Sequence, residues 1–290
     1  MAQFVILTDS SADLSQEMVQ ELGVDVLPLS FHIGGETLKD YPDHRDMSYE
    51  EFYSKIRAGE MSTTNAVNIA QYQDYLLPML KSGKDILILS FSSGLSSTYD
   101  TARMAVQELK DLFPNRRIAL VDTLCASLGQ GLLVWYAARM RNEGKSIEEV
   151  RSWCEANKLR VAHWFTVDDL MHLKRGGRVS AATAVMGTML QIKPVLHVDD
   201  EGHLINMERA RGRRASLDAL VQKVVDTAID PAGQTMFLSH SDCLADAQYV
   251  ADQIREKCGT SHFRFNFIGP VIGAHTGCGC VALFFLADRR

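Results

Sequence analysis

Hydroxyl, basic and imidazole side chains concentrate in a few stretches of this chain, and their grouping sets the chemistry it can do. The densest is Ser90-Phe91-Ser92-Ser93-Gly94-Leu95-Ser96-Ser97-Thr98-Tyr99, where an apolar run ends, a glycine permits a tight turn and a helical pattern begins. Unpaired N–H groups at a helix start, with serine hydroxyls beside them, make a seat for an anion. Ser96 or Ser97 equally suits plain helix capping, and spacing alone leaves both readings open. Met61-Ser62-Thr63-Thr64-Asn65-Ala66 is a second hydroxyl-rich loop, by itself a capping loop ahead of a helix near Ile69–Leu80. Asp9-Ser10-Ser11-Ala12-Asp13 reads either as turn chemistry or as the rim of a pocket.

Positive charge gathers in Leu173-Lys174-Arg175-Gly176-Gly177-Arg178 and in Arg209-Ala210-Arg211-Gly212-Arg213-Arg214. Such stretches are either solvated surface or planar, bidentate donors for an anionic ligand or an acidic partner. Neither carries the interleaved aromatics of a single-strand binder. A net charge of −6 over 290 residues also argues against nucleic acid as the main partner. One histidine, His275, stands in the glycine-rich stretch from Ile268 to Gly277, where the backbone can approach another group closely. The six cysteines are scattered without a CxxC pair, which reads as reduced thiols in a cytoplasmic protein, with no metal site expected.

Positioning these groups requires an α/β frame. Apolar runs Phe4–Leu7, Ile86–Leu89 and Ile118–Val121 end in small polar residues, with helical periodicity at Tyr99–Leu112 and Gly129–Arg141. That alternation predicts a parallel sheet covered on both faces, with ligands outside the carboxyl ends of its strands. Beyond about residue 160, strands are expected at Val161–Val167, Lys193–Val198, His203–Arg209, Thr235–Ser239, Phe263–Ile268 and Cys280–Leu286. Helices are expected at Arg214–Ala228 and Leu244–Cys258, and Asp199-Asp200-Glu201-Gly202 is a hairpin turn. The expectation is two domains, a three-layer parallel-sheet unit over 1–155 and a mixed α+β unit over 156–290. The first residues lack the pattern of a secretory signal, and no apolar run approaches the roughly 20 residues of a membrane helix.

In their order along the chain these stretches resemble the DegV family of bacterial fatty-acid-binding proteins. The match rests on Leu7-Thr8-Asp9-Ser10-Ser11-Ala12-Asp13-Leu14, Ser92–Tyr99, Leu173–Arg178, Lys193-Pro194, Arg211-Gly212-Arg213 and Ile268–Gly277. The resemblance implies a two-domain α/β fold with one long-chain fatty acid buried between the halves. It also implies a non-catalytic carrier role, in which a separate ATP-dependent fatty acid kinase phosphorylates the bound carboxylate. By resemblance the carboxylate is held at Thr63, Ser93 and His275, with Arg211 in the same network and Thr64 and Ser96 close by. Arg175 and Arg178 match a surface that docks the kinase, and passing contact with a membrane surface is a secondary expectation. No cofactor besides the lipid is implied.

The chain departs from the family pattern at Thr63-Thr64-Asn65-Ala66, where a proline is lost, and at Cys278-Gly279-Cys280, which brings two thiols read as inert. Met186, Met189 and Leu190 are the kind of residue that lines an acyl tunnel, although core packing suits each as well. The rival reading is a serine hydrolase with Ser93 as nucleophile and His275 as base. Against it, the G-x-S-x-G elbow is missing and no acid partner is evident beside the histidine. A lipid-regulated sensor is a second rival. Nucleotide binding is disfavoured, because neither a GxGxxG after a strand nor a GxxxxGK[ST] occurs.

Overall fold

A computed structural model of the chain describes residues 4–180 and 191–290. Met186, Met189 and Leu190 lie outside the described residues. The strands run β1 (Phe4–Asp9), β2 (Asp25–Leu27), β3 (Ser30–Ile33), β4 (Glu36–Lys39), β5 (Thr63–Asn65), β6 (Asp85–Ser90) and β7 (Ile118–Asp122). They continue with β8 (Val161–Thr166), β9 (Ile192–Val198), β10 (Leu204–Arg211), β11 (Met236–His240), β12 (Phe263–Phe267) and β13 (Val281–Leu286). Helices α1 to α5 are Gln16–Leu22, Tyr49–Arg57, Ile69–Lys81, Thr98–Leu112 and Leu128–Asn142. Helices α6 to α10 are Ile147–Asn157, Met171–Arg175, Arg213–Thr227, Leu244–Cys258 and Pro270–Thr276.

The first sheet is parallel, in the order β2-β1-β6-β7. Successive side chains of a strand point to opposite faces, and here both faces are buried. Phe4, Ile6, Leu87 and Leu89 pack toward α5, while Leu7, Ile86 and Ile88 pack under α3 and α4. This explains the uninterrupted apolar runs, since neither set of positions meets water. The second sheet is mixed, in the order β10-β9-β8-β13-β11-β12. Phe165, Leu196, Phe237 and Phe284 face α5, and Trp164, Val195, Leu238 and Leu283 face α8 and α9.

Helix α5 is therefore the common layer, packed against both sheets. It is apolar nearly all round, the pattern of a helix with no solvent side. Its small residues let the sheets come close. A Cβ at Gly129 would collide with the His163 ring and the Phe284 ring.

The sequence reading did not anticipate a third, small sheet, β4-β3-β5, which packs with α2 over Phe31, Ile33, Phe52 and Tyr53. The residues expected to form the Met61–Ala66 loop contain its edge strand, β5. The expected glycine-rich loop around His275 is a helix, α10. It starts with Pro270, whose missing N–H and fixed φ suit a first helical position, and it buries Val271 and Ala274 in two different cores.

Gly129→Ala would overpack the contact between α5 and the mixed sheet, at a cost of about 1–3 kcal/mol. The urea midpoint should fall accordingly, and an unchanged midpoint would show that α5 does not pin the two sheets.

Candidate functional site

A cavity of about 240 Å³ lies beyond the carboxyl end of β6, where the parallel sheet meets the mixed one. Its apolar wall includes Phe91, Phe165, Leu204, Val271, Ile272 and Phe284. Thr64, Ser96, Arg178 and His275 join them on the lining, with Thr64 hydrogen-bonded to His275 and Arg178 to the Leu95 carbonyl beside Ser96.

Pairing of β5 with β3 fixes Thr64. In that register Thr64 stands opposite Phe31 and Thr63 opposite His32, so adjacent hydroxyls point to opposite sides. Thr64 Oγ1 lies 2.9 Å from His275 Nε2. Thr63, expected at the carboxylate, is exposed and lies outside the lining of this cavity.

His275 sits in the last turn of α10, against the turn that follows α7. A Cβ at Gly176 would clash with His275 Nδ1, so the first glycine of Lys174-Arg175-Gly176-Gly177-Arg178 is there for close approach. Burial, and then the Arg178 guanidinium, pull the His275 pKa down to about 4. The imidazole is neutral at physiological pH. Among the described residues its Nδ1 has no hydrogen-bond partner, so no described carboxylate orients the ring as a catalytic base requires.

Arg178 is half-buried and donates from Nε and Nη2 to the Leu95 carbonyl, at 3.2 and 3.0 Å. That bond locks the segment leading into α4. Ser96 Oγ accepts from the Thr98 amide at 3.2 Å, while the N-cap Ser97 makes no side-chain cap bond. Ser96 is thus both a cap and a cavity residue, the two readings left open above. Gly94 does not need a left-handed turn. A Cβ there would lie 2.6 Å from the Glu201 carbonyl, because the 199–203 hairpin packs directly on this loop.

Three further expectations change. Ser93 is exposed, its amide donates to Asp122 Oδ1 at 3.2 Å, and it does not line the cavity. The hydroxyl that meets His275 belongs to Thr64, so the pairing that a Ser93 hydrolase needs is not formed. Arg211 is exposed on β10, away from the cavity. Its expected place beside the histidine is taken by Arg178, which had been assigned to the docking surface; Arg175 remains exposed. The glycine pair ahead of Arg178 was the available signal, since adjacent glycines mark a backbone that something approaches closely. Cys280 lines the cavity and Cys278 lies behind it. Burial pushes both thiols up, Cys280 strongly, so neither is a thiolate of the kind that reacts. The stretch Asp9–Asp13 does not line the cavity.

His275 has a folded pKa below its ordinary 6.5, so it binds its proton more readily in the unfolded chain. Its contribution to stability is present above about pH 6.5 and is lost as pH falls toward 4. Proton NMR should place the ring's midpoint near 4. Arg178→Met should raise that midpoint while leaving it below 6.5, because burial is the larger cause. A midpoint near 6.5 in the unaltered protein would show an exposed ring and no closed site.

Comparison with known proteins agrees with this architecture. The model of the DegV family, described as uncharacterised, matches residues 3–288. A DegV domain-containing protein of Clostridium perfringens is 45% identical over 290 residues, 100% of this chain and 99% of that protein. Among solved structures, a DegV family protein from Thermus thermophilus described as fatty acid binding superposes with a TM-score of 0.84. It shares 29% identity and covers 98% of this chain and 99% of its own. DegV of Bacillus subtilis, described as a fatty acid binding protein, gives 0.83 at 26% identity over 99% and 100% of the two chains. With its parallel sheet, its mixed sheet and the cavity between them, the chain belongs to the DegV family.

Proposed function

We propose that this protein binds one long-chain fatty acid, its carboxylate held at Thr64, Ser96, Arg178 and His275, and presents that carboxylate to a fatty acid kinase. The observation that carries the reading is an apolar cavity whose lining includes two hydroxyls, a neutral imidazole and a half-buried guanidinium. Burying about 15 methylenes at roughly 0.8 kcal/mol each releases on the order of 12 kcal/mol before the costs of ordering. A carboxylate taken into such a cavity costs several kcal/mol unless it is hydrogen-bonded and charge-paired. Arg178 supplies the charge, and the Thr64 and Ser96 hydroxyls supply donors, with His275 Nε2–H donating to Thr64 Oγ1 and so turning that hydroxyl toward the carboxylate. The neutral state of His275 is useful here, since an imidazole N–H donates without adding a second buried charge. The fatty acids bound by the Thermus and Bacillus relatives support the same ligand class.

The protein acts as a carrier, with the phosphoryl chemistry belonging to the kinase. Exposed Arg175 and Arg211 lie outside the acyl cavity and suit an acidic face of such a partner, as Arg side chains do. We place the protein in the cytoplasm. Among the described residues no helix is long and apolar enough to cross a membrane.

Native mass spectrometry of freshly purified protein should show one fatty acid mass per chain, and chains that are uniformly empty even after fatty acid is added would refute the reading. Arg178→Ala should weaken binding roughly ten- to a hundredfold, and Thr64→Val about two- to tenfold, as expected for charged and neutral hydrogen bonds. Thr63→Val and Ser93→Ala should leave affinity within about twofold of the starting value, because neither lines the cavity. Equal losses from Ser93→Ala and Thr64→Val would place the head group elsewhere. Adding the kinase and ATP to loaded protein should yield acyl phosphate, with the rate reduced by Arg175→Glu.

A further inference from the structure

The stretch Asp9-Ser10-Ser11-Ala12-Asp13 lies outside the lining of the acyl cavity, yet it is buried from end to end. It follows β1, which stands between β2 and β6 in the parallel sheet. From there it can reach the chain that leaves either neighbour.

Three backbone amides from distant segments end on its side chains. Asp9 Oδ2 accepts from the Phe91 amide at 2.9 Å, Ser10 Oγ from the Leu29 amide at 3.0 Å, and Asp13 Oδ1 from the Gly269 amide at 2.9 Å. Each donor is the residue next to an element that carries part of the head-group site. Phe91 follows β6 and opens the segment that holds Leu95 and Ser96. Leu29 precedes β3, whose pairing with β5 sets Thr64 opposite Phe31. Gly269 precedes α10, the helix of His275. Every donor is an N–H group, so each of these positions requires an acceptor, which two carboxyls and a hydroxyl supply.

The loop is held by bonds of its own. Ser10–Ala12 form one 3-10 turn, and the Asp13 amide donates back to the Ser10 carbonyl at 3.1 Å. Asp9 Oδ1 accepts from the Ser11 amide at 3.2 Å and from the Ser11 hydroxyl. Asp13 has φ 50°, in the left-handed region that Asp tolerates better than most residues. By contrast, the ligand groups are loosely tied to one another. Thr64 meets His275, but Ser96 Oγ contacts Thr98 and, among the described residues, neither of that pair. Its distance from them is set through the backbone, by Asp9 at Phe91 and by Arg178 at Leu95.

We propose that Asp9, Ser10 and Asp13 are positioning residues for fatty acid binding, which hold the Ser96 segment, the Thr64 strand and the His275 helix at the spacing a carboxylate fits, without touching the ligand. The assignment rests on the fatty acid reading and deepens it. A binding constellation has to be held to within about 0.5 Å by groups behind it, and one short turn that receives a bond from all three elements does this. Losing one of the three bonds moves one donor of the head-group site and leaves the apolar wall in place. The cost therefore falls on the carboxylate and spares the chain.

The test uses the full chain and two ligands of equal length, a saturated fatty acid and the corresponding alcohol. The unaltered protein should prefer the acid about tenfold or more, as hydrogen bonds to a charged group require. That preference should fall about three- to tenfold in Ser10→Ala and in Asp13→Ala, the loss of roughly one neutral hydrogen bond. Asp13→Asn keeps an acceptor for the Gly269 amide and should hold the preference within about twofold of the unaltered value. The His275 ring, with its midpoint near 4, should titrate higher in Asp13→Ala and unchanged in Asp13→Asn. Ser15→Ala serves as the control, since Ser15 Oγ accepts from the Met18 amide at 3.3 Å and caps α1 nearby. It should lower the melting temperature and leave the preference alone. Equal losses for acid and alcohol in Ser10→Ala, or a shift in preference from Ser15→Ala as large, would overturn the positioning role. If neither ligand binds the unaltered protein, the fatty acid reading falls first and this role with it. Ser10→Ala removes one oxygen atom, so it remains a folded test even if Asp13→Ala does not fold.

Discussion

The buried carboxyl of Asp13 is the junction on which the arrangement of layers depends. Its Oδ1 accepts from the Gly269 amide at 2.9 Å and its Oδ2 from the Ser127 hydroxyl, while its backbone carbonyl accepts from Asn266 Nδ2 at 2.7 Å. One residue of the first loop therefore holds the start of α5, the end of β12 and the start of α10. Burial raises the Asp13 pKa well above the usual carboxylate range and lifts its neighbour Asp40 to about 7. Burial disfavours the charged form of both carboxyls, and the Asp40 charge adds to the rise at Asp13. Asp13 is held by hydrogen bonds from uncharged donors, with no ion pair to it among the described residues. The same junction holds Ser127 at φ 53° and ψ −148°, a conformation that a residue with a side chain adopts only when its surroundings enforce it.

That junction bears directly on the cavity. Asp13 anchors the first residue of α10's approach, and α10 carries both the apolar wall at Val271 and Ile272 and the polar tip at His275. Helix α5 keeps the two sheets apart by its own width, and stiff sheets do not relax inward to fill a gap as loosely held side chains do. An apolar cavity remains between them beside the start of α5, where Ala126 and Ser127 line it.

Most of the frame could be read from the chain because its strands are apolar on both faces and its helices have clear periodicity. Runs such as Ile86–Leu89 and Phe263–Ile268 fall within a residue or two of the observed strands. The small sheet was hidden for a physical reason. Strand β5 is Thr63-Thr64-Asn65, three polar residues with no hydrophobic alternation, and it is a strand only because β3 pairs with it. Helix α10 was hidden by Gly269, Gly273 and Gly277, residues of poor helix propensity. Tertiary burial of Val271 and Ala274 overrides that local preference.

Residue types and spacing determined on their own that the chain has an α/β frame, a hydroxyl-rich helix start, a glycine-flanked basic turn and a histidine near the last strand. The family pattern further marked His275 and the SSGLS segment as parts of one site. Which hydroxyl and which arginine meet that histidine was decided only in three dimensions. Thr63 and Thr64 are chemically the same and differ in which side of a strand they occupy. Ser93 and Ser96 differ in their place on one turn, and Arg178 reaches the site because Gly176 lets its loop close on His275. Those choices follow from register and packing between segments far apart in the chain, which no local pattern encodes.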